Sequence, residues 1–184
     1  MTIVNFNYDR CITHYLHEAI KDYYHIKEDV VTNLMKKLKI IHPYGCVGDL
    51  PWQQPGKGSI PFGGSQYSKL LDIIPKIKTF SESTKDEEEL TELRNCLIEA
   101  EIIVFLGFAF HRQNLELLNP DKKCRARKVY ATALGMSESD CFDVKASVFS
   151  ILGGIKNNAV FEIRNDLKCG QLFREYWRSL STGV

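Results

Sequence analysis

The sequence predicts an α/β fold, a parallel sheet flanked by helices, and two observations carry that expectation. Segments rich in β-branched and aromatic residues alternate along the chain with segments of 3-4 apolar spacing, the order that builds a parallel sheet through helical crossovers. The run Ile102 to Phe108 (I-I-V-F-L-G-F) is apolar at nearly every position, as expected of a strand covered on both faces. With 184 residues, 44% hydrophobic and 26% charged, the chain has the balance of one globular domain, and residues 1–184 are read as a single domain.

Each element follows from its residues. Thr2 to Tyr8 reads as a strand, and Cys11 to Tyr24 as a helix with Ile12, Tyr15, Leu16, Ala19, Ile20 and Tyr23 on one side and Asp9 placed to cap it. Val30, Val31, Leu34, Met35 and Leu38 give a second helical pattern that leads to the basic run Lys36, Lys37 and Lys39, which suits the negative end of a helix dipole. Lys39 to Tyr44 reads as a short strand. From Gly45 to Ser65 the chain holds six glycines and three prolines, and a loop of that length in a compact domain is more often a binding lid than a spacer. Gln66 to Phe80 reads as helical with a break at Pro75, Ser81 to Lys85 as a turn, and Asp86 to Glu101 as a helix opened by acidic residues. Beyond the Ile102 strand come a helix at Arg112 to Leu118, a strand at Val129 to Leu134, a helix at Glu138 to Leu152, a strand at Ala159 to Ile163 and a closing helix at Gln171 to Leu180.

Composition also excludes classes. Lys and Arg number 24 against 23 Asp and Glu, a net charge of +1, so no excess of cations is present to neutralise a run of phosphates, and nucleic acid is not expected as a partner. No stretch approaches the roughly 20 apolar residues of a membrane span, and the first residues lack a basic segment followed by an apolar run, so neither membrane insertion nor export is expected and the cytoplasm is the expected compartment. The six cysteines form no C-x-x-C pair and read as reduced thiols.

In an open parallel sheet, ligands bind beyond the carboxyl ends of the strands. Three such ends carry polar or permissive residues: Asn5, Asn7 and Asp9; His42 and Tyr44 ahead of the glycine-rich loop; and Gly107 ahead of His111 and Asn114. Each has a purely structural reading as well. Asp9 can cap a helix, His42 can bond a loop carbonyl, Gly107 can ease backbone packing, and His111 and Asn114 can begin a helix. Trp52 can cover a ring or anchor its loop, and Arg125, Arg127 and Lys128 read as a solvated basic run. His14 and His17 share a helical face but lack a third ligand by spacing, so no metal is expected.

Taken in order, N-F-N-Y-D-R, I-I-H-P-Y-G-C-V-G, A-E-I-I-V-F-L-G-F and K-V-Y-A-T-A-L-G resemble the later part of the sirtuin superfamily's nucleotide-binding domain, nearest the prokaryotic sirtuin-like branch that includes NAD-hydrolysing anti-phage defence proteins. The resemblance implies a Rossmann-like sheet incomplete at the N-terminus, since the family's opening Gly-Ala-Gly-x-Ser loop has no counterpart in this sequence. It implies NAD or an ADP-ribose derivative as ligand and NAD glycohydrolysis as the parent activity, weak or lost in this chain. It further implies that Asn7, Asp9 and His42 are catalytic and that Asn5, Phe6, Tyr44, Gly45, Gly107 and Phe108 bind the nucleotide. The family's catalytic His-Gly pair is matched by Tyr44-Gly45, with His42 two residues earlier, which departs from the pattern. Strand alternation would place His42 and Tyr44 on one face. The alternative is a non-catalytic sirtuin-like module for ligand sensing or protein assembly, because an uncovered strand at Thr2 to Tyr8 invites a protein partner or self-association.

Overall fold

The computed structural model describes residues 1–54, 59–64, 74–154 and 159–181. The architecture is α/β and Rossmann-like, with helices flanking small parallel sheets. The chain forms two compact units, Met1–Glu87 and Glu88–Val184.

In the first unit, β1 (Thr2–Val4) and β2 (Lys39–Ile41) pair in parallel, with Val4 opposite Ile41. The crossover between them is α1 (Cys11–Tyr24) followed by α2 (Glu28–Met35). Helix α1 spans the residues its periodicity predicts and stops at His25, whose left-handed conformation (φ 51°) lets its N–H bond Lys21 C=O. Glu28 and Asp29 open α2 at the positive end of its dipole.

Both strands are shorter than expected, for a local reason. After β1, Asn5 N–H still donates to Ile41 C=O at 2.8 Å, but the Asn5 side chain then accepts the Asn7 N–H at 3.1 Å and turns the chain away. After β2, Pro43 cannot donate to a ladder, and His42 to Gly45 closes as a turn with Gly45 N–H on His42 C=O at 2.8 Å. Alternation therefore does not govern His42 and Tyr44.

Of the expected helix at Gln66 to Phe80, residues 65–73 lie outside the described ones, and Pro75 sits in a 3-10 turn, Ile74–Lys76. The expected turn at Ser81 is instead a helical turn, α3 (Phe80–Ser83). Thr79 nucleates it: Glu82 N–H bonds the Thr79 hydroxyl while the Glu82 carboxylate takes the Thr79 N–H at 2.7 Å.

The second unit runs α4 (Glu87–Glu99), β3 (Ile102–Phe105), α5 (Arg112–Leu118), β4 (Lys128–Thr132), α6 (Glu138–Ile151), β5 (Val160–Arg164), α7 (Cys169–Glu175) and α8 (Trp177–Ser181). The three strands are parallel in the order β3-β4-β5. Strand β3 ends at Phe105, short of Phe108, and its burial alternates: Ile103 and Phe105 are buried, Ile102 and Val104 less so. The expected closing helix is broken at Tyr176, whose ring lies 4.4 Å from that of Tyr130.

Helices cover both faces of β4 and β5. Phe161, opposite Val129 in register, faces α6, where the Lys145 ammonium bonds Phe161 C=O at 2.8 Å and lies 5.3 Å from its ring centroid. Tyr130 points to the other face and bonds Ser179 of α8 at 2.6 Å. The core gathers Leu93, Leu117, Val129, Ala131, Val148 and Leu172.

The described cysteines are all free. Burial pushes the Cys124 thiol up to about 11, whereas Cys11 and Cys169 are exposed. Alkylation of the native protein near neutral pH, mapped by mass spectrometry, will therefore mark Cys169 and spare Cys124 until the protein is unfolded, with Cys11 slower than Cys169 because the Asp9 carboxylate pushes its thiol up. Labelling of Cys124 at the rate of Cys169 in the native state would contradict this packing.

Candidate functional site

Seven of the nine predicted site residues belong to the first unit, at the carboxyl ends of β1 and β2. Asn5 is buried, with its side-chain N–H on Asp9 C=O at 3.3 Å and its oxygen on the Asn7 N–H. The Asp9 carboxylate accepts the Cys11 N–H at 2.8 Å and so caps α1, whose cap residue Arg10 makes no side-chain cap of its own. That backbone N–H, then the Cys11 thiol, hold the Asp9 carboxyl below its ordinary range, with attraction from the His42 imidazole a lesser cause. His42 Nδ1 is 3.2 Å from Asn7 C=O, which ties the end of β2 to the turn after β1. The ends of β1 and β2 are thus tied largely through main chain, by the Asn5 side chain on the Asp9 carbonyl and the His42 ring on the Asn7 carbonyl, and the Asn7 side-chain amide takes no part in these bonds.

Around these ties the Tyr44 ring meets Phe6 edge-on at 6.0 Å and Tyr8 at 6.4 Å, and burial pushes its phenol up. Gly45 is required by its surroundings. It has φ +74°, pairs with Ile77 in an antiparallel bridge, and a Cβ there would lie 1.8 Å from the Lys76 carbonyl oxygen. Ser83 of α3 supports the same turn by donating to Pro43 C=O at 2.7 Å.

Gly107 and Phe108 belong to the second unit. Gly107 N–H donates to the Thr132 hydroxyl at 2.9 Å. With φ +57° and nothing within 4 Å of where a Cβ would project, glycine is there for its conformation and not for close packing. Phe108 joins Phe105 and Phe110 in an aromatic cluster at 5.2–5.6 Å. His111 is exposed at the start of α5, where its side chain makes no capping bond. Arg125 pairs with Glu99 at 2.5 Å, and Lys128 bonds Ser179 C=O at 2.9 Å.

Sequence reasoning missed Arg10. Only 7% exposed, it turns inward and donates to the carbonyls of Asp49, Ile60 and Pro61 at 3.2, 2.6 and 3.4 Å, gripping both sides of the glycine-rich loop. The available signal was its spacing from His14 and His17, which puts all three on one stripe of α1. His14 stacks on Phe62 at 4.1 Å and His17 on Trp52 at 4.5 Å, so Trp52 anchors its loop. A hollow of about 200 Å³ opens beside this anchor, lined by Thr13, Met35, Leu38, Ile40 and Trp52 among others, and none of the predicted site residues lines it.

Among the described residues, no cluster of His, Cys, Asp and Glu side chains could hold a metal ion, and no helix is long and apolar enough to cross a membrane. No family model, curated protein or solved structure matches the chain.

Two outcomes follow from this geometry. Gly45→Ala will lose about 1–3 kcal/mol or more in denaturant unfolding, because the methyl group meets backbone and the left-handed conformation is strained. Asp9→Ala will lose about 0.5–2 kcal/mol at neutral pH through the missing cap. Since the Asp9 carboxyl is held low in the folded protein, its stabilisation is present above the ordinary carboxylate range and disappears as pH falls through the folded value. The two stability curves will therefore converge in acid. A constant gap would show that the cap, and not its charge, is what matters.

Proposed function

We propose that the carboxyl ends of β1 and β2 hold the ribosyl part of NAD or of an ADP-ribose derivative, in a module whose parent reaction is NAD glycohydrolysis and in which binding outlasts turnover. One observation carries the reading. Asn7, Asp9 and His42, whose roles the sirtuin resemblance implies, lie just past two separate strand ends that the contact of His42 Nδ1 with the Asn7 carbonyl draws together. A parallel strand end is where such folds receive nucleotides.

The residue types fit a ribosyl group. A ribose diol both donates and accepts, and the exposed Asn7 side chain offers an amide able to do either. In the parent reaction the bond from the ribose carbon to the nicotinamide nitrogen breaks, positive charge develops on the sugar, and water supplies the new oxygen and gives up a proton. Asn7 would position that water, the ionised Asp9 would face the developing cation, and His42 would take the proton.

The same geometry explains why turnover would be weak. Asp9 commits one oxygen to the Cys11 N–H, and His42 commits Nδ1 to a backbone carbonyl, so both are partly occupied in holding the chain.

Thermal melts with NAD and with ADP-ribose test the proposal, because a ligand that binds only the folded state raises its melting temperature. At about 100 times the dissociation constant the rise corresponds to about 2.7 kcal/mol. Asn7→Ala will abolish the rise without lowering the melting temperature of the free protein, since the Asn7 side chain is exposed. Nicotinamide release measured on the same samples separates slow hydrolysis from binding alone. If neither ligand shifts the transition at millimolar concentration, the nucleotide reading fails in both forms.

A further inference from the structure

The hollow of about 200 Å³ in the first unit is walled by both helices, by β2 and by the glycine-rich loop. Thr13 reaches it from α1 and Trp52 and Gln53 from the loop, while Lys36 follows the last residue of α2. Two of these polar groups are buried without a partner. Thr13 is 5% exposed and its hydroxyl makes no hydrogen bond among the described residues, and the Trp52 indole N–H is buried and makes none either. Buried donors left unpaired are costly, so something in the hollow has to accept from them.

The rest of the lining says what that is. The Gln53 side-chain oxygen already accepts the Leu50 N–H at 2.9 Å, which leaves its amide N–H groups to donate. Lys36 is exposed, forms no ion pair among the described residues, and can only donate. No acidic side chain is among the lining residues, so the hollow gathers donors and a positive charge with nothing to balance them. That favours an anion.

A bare inorganic ion would leave the other wall unused. Met35, Leu38 and Ile40 are apolar, Met35 is buried, and the Trp52 ring adds an aromatic surface. Water could satisfy the donors but would gain nothing against these side chains. A cavity of about 150 Å³ holds benzene. The hollow, at about 200 Å³, therefore has room for one six-membered ring with a carboxylate attached.

We propose that this hollow is a binding site for a small aromatic monocarboxylate, with its ring against Met35, Leu38 and Ile40 and its carboxylate on Thr13, Lys36, Gln53 and the Trp52 N–H. The site does not depend on the nucleotide reading, since none of Asn7, Asp9 and His42 lines it.

Benzoate is the probe, with benzamide as its neutral isostere and sodium chloride at equal ionic strength as the reference. The chain has two tryptophans, so a Trp177→Phe background leaves Trp52 as the reporter. Millimolar benzoate will change Trp52 emission saturably and raise the melting temperature. Benzamide will bind about fivefold or more weakly, because it lacks the charge that Lys36 meets. Lys36→Met will remove that preference. Thr13→Val will weaken benzoate about three- to tenfold, the worth of one hydrogen bond, and will not lower the melting temperature of the free protein, because the hydroxyl it removes has no partner there. The proposal is overturned by a response to benzoate no larger than to sodium chloride, by benzamide binding as tightly as benzoate, or by a Thr13→Val chain that is less stable when free or binds benzoate unchanged.

Discussion

Backbone groups that leave a parallel strand lose their ladder partners, and the first unit is organised around satisfying them. Asn5, Asp9 and His42 each bond main chain just past β1 or β2, and Arg10 gathers three further carbonyls from the loop that follows. A buried guanidinium is costly unless its donors are used, and the two terminal nitrogens of Arg10 are, whereas its Nε is buried without a partner. Placing it where the chain reverses lets one side chain settle several carbonyls together. Without these bonds, strands of three residues would have little to hold their ends in register.

This division of labour bears on the chemistry. Two of the side chains proposed to face a ribosyl group, Asp9 and His42, also hold the turn, and a group bonded to backbone is well positioned but less free to exchange protons. Under the proposed reading, the site is therefore preorganised toward binding more than toward turnover. A protein can keep a constellation of this kind for recognition after its reaction has slowed, and the fold gives a structural reason to retain it.

The second unit follows a different logic. Its three described strands run in sequential order, so no reversal of strand order opens a crevice among them, and the carboxyl ends are filled by Thr132, the Phe105–Phe108–Phe110 cluster and the Arg164–Asp166 pair. Gly107 is needed there for its left-handed backbone. Its presence after an apolar strand is a feature of chain geometry before it is one of ligand binding.

Much of the helical structure was legible in the sequence, because apolar periodicity is a local property: α1 and α5 span the residues their spacing indicates, and α6 differs by one. Strand lengths were not, because Asn5, Pro43 and Gly107 end strands by turn chemistry that an apolar run conceals. The residue types of the candidate site could be read at three strand ends. Their meeting in the first unit depended on a parallel register pairing Val4 with Ile41, which no local pattern encodes. The inward turn of Arg10 was equally hidden, since a charged residue reads as exposed until the carbonyls that surround it are known. Sequence alone indicated where most of the longer helices run and which residue types are on hand. Tertiary structure decided which of those groups are engaged by the backbone, because hydrogen-bond satisfaction is a property of neighbours far apart in the chain.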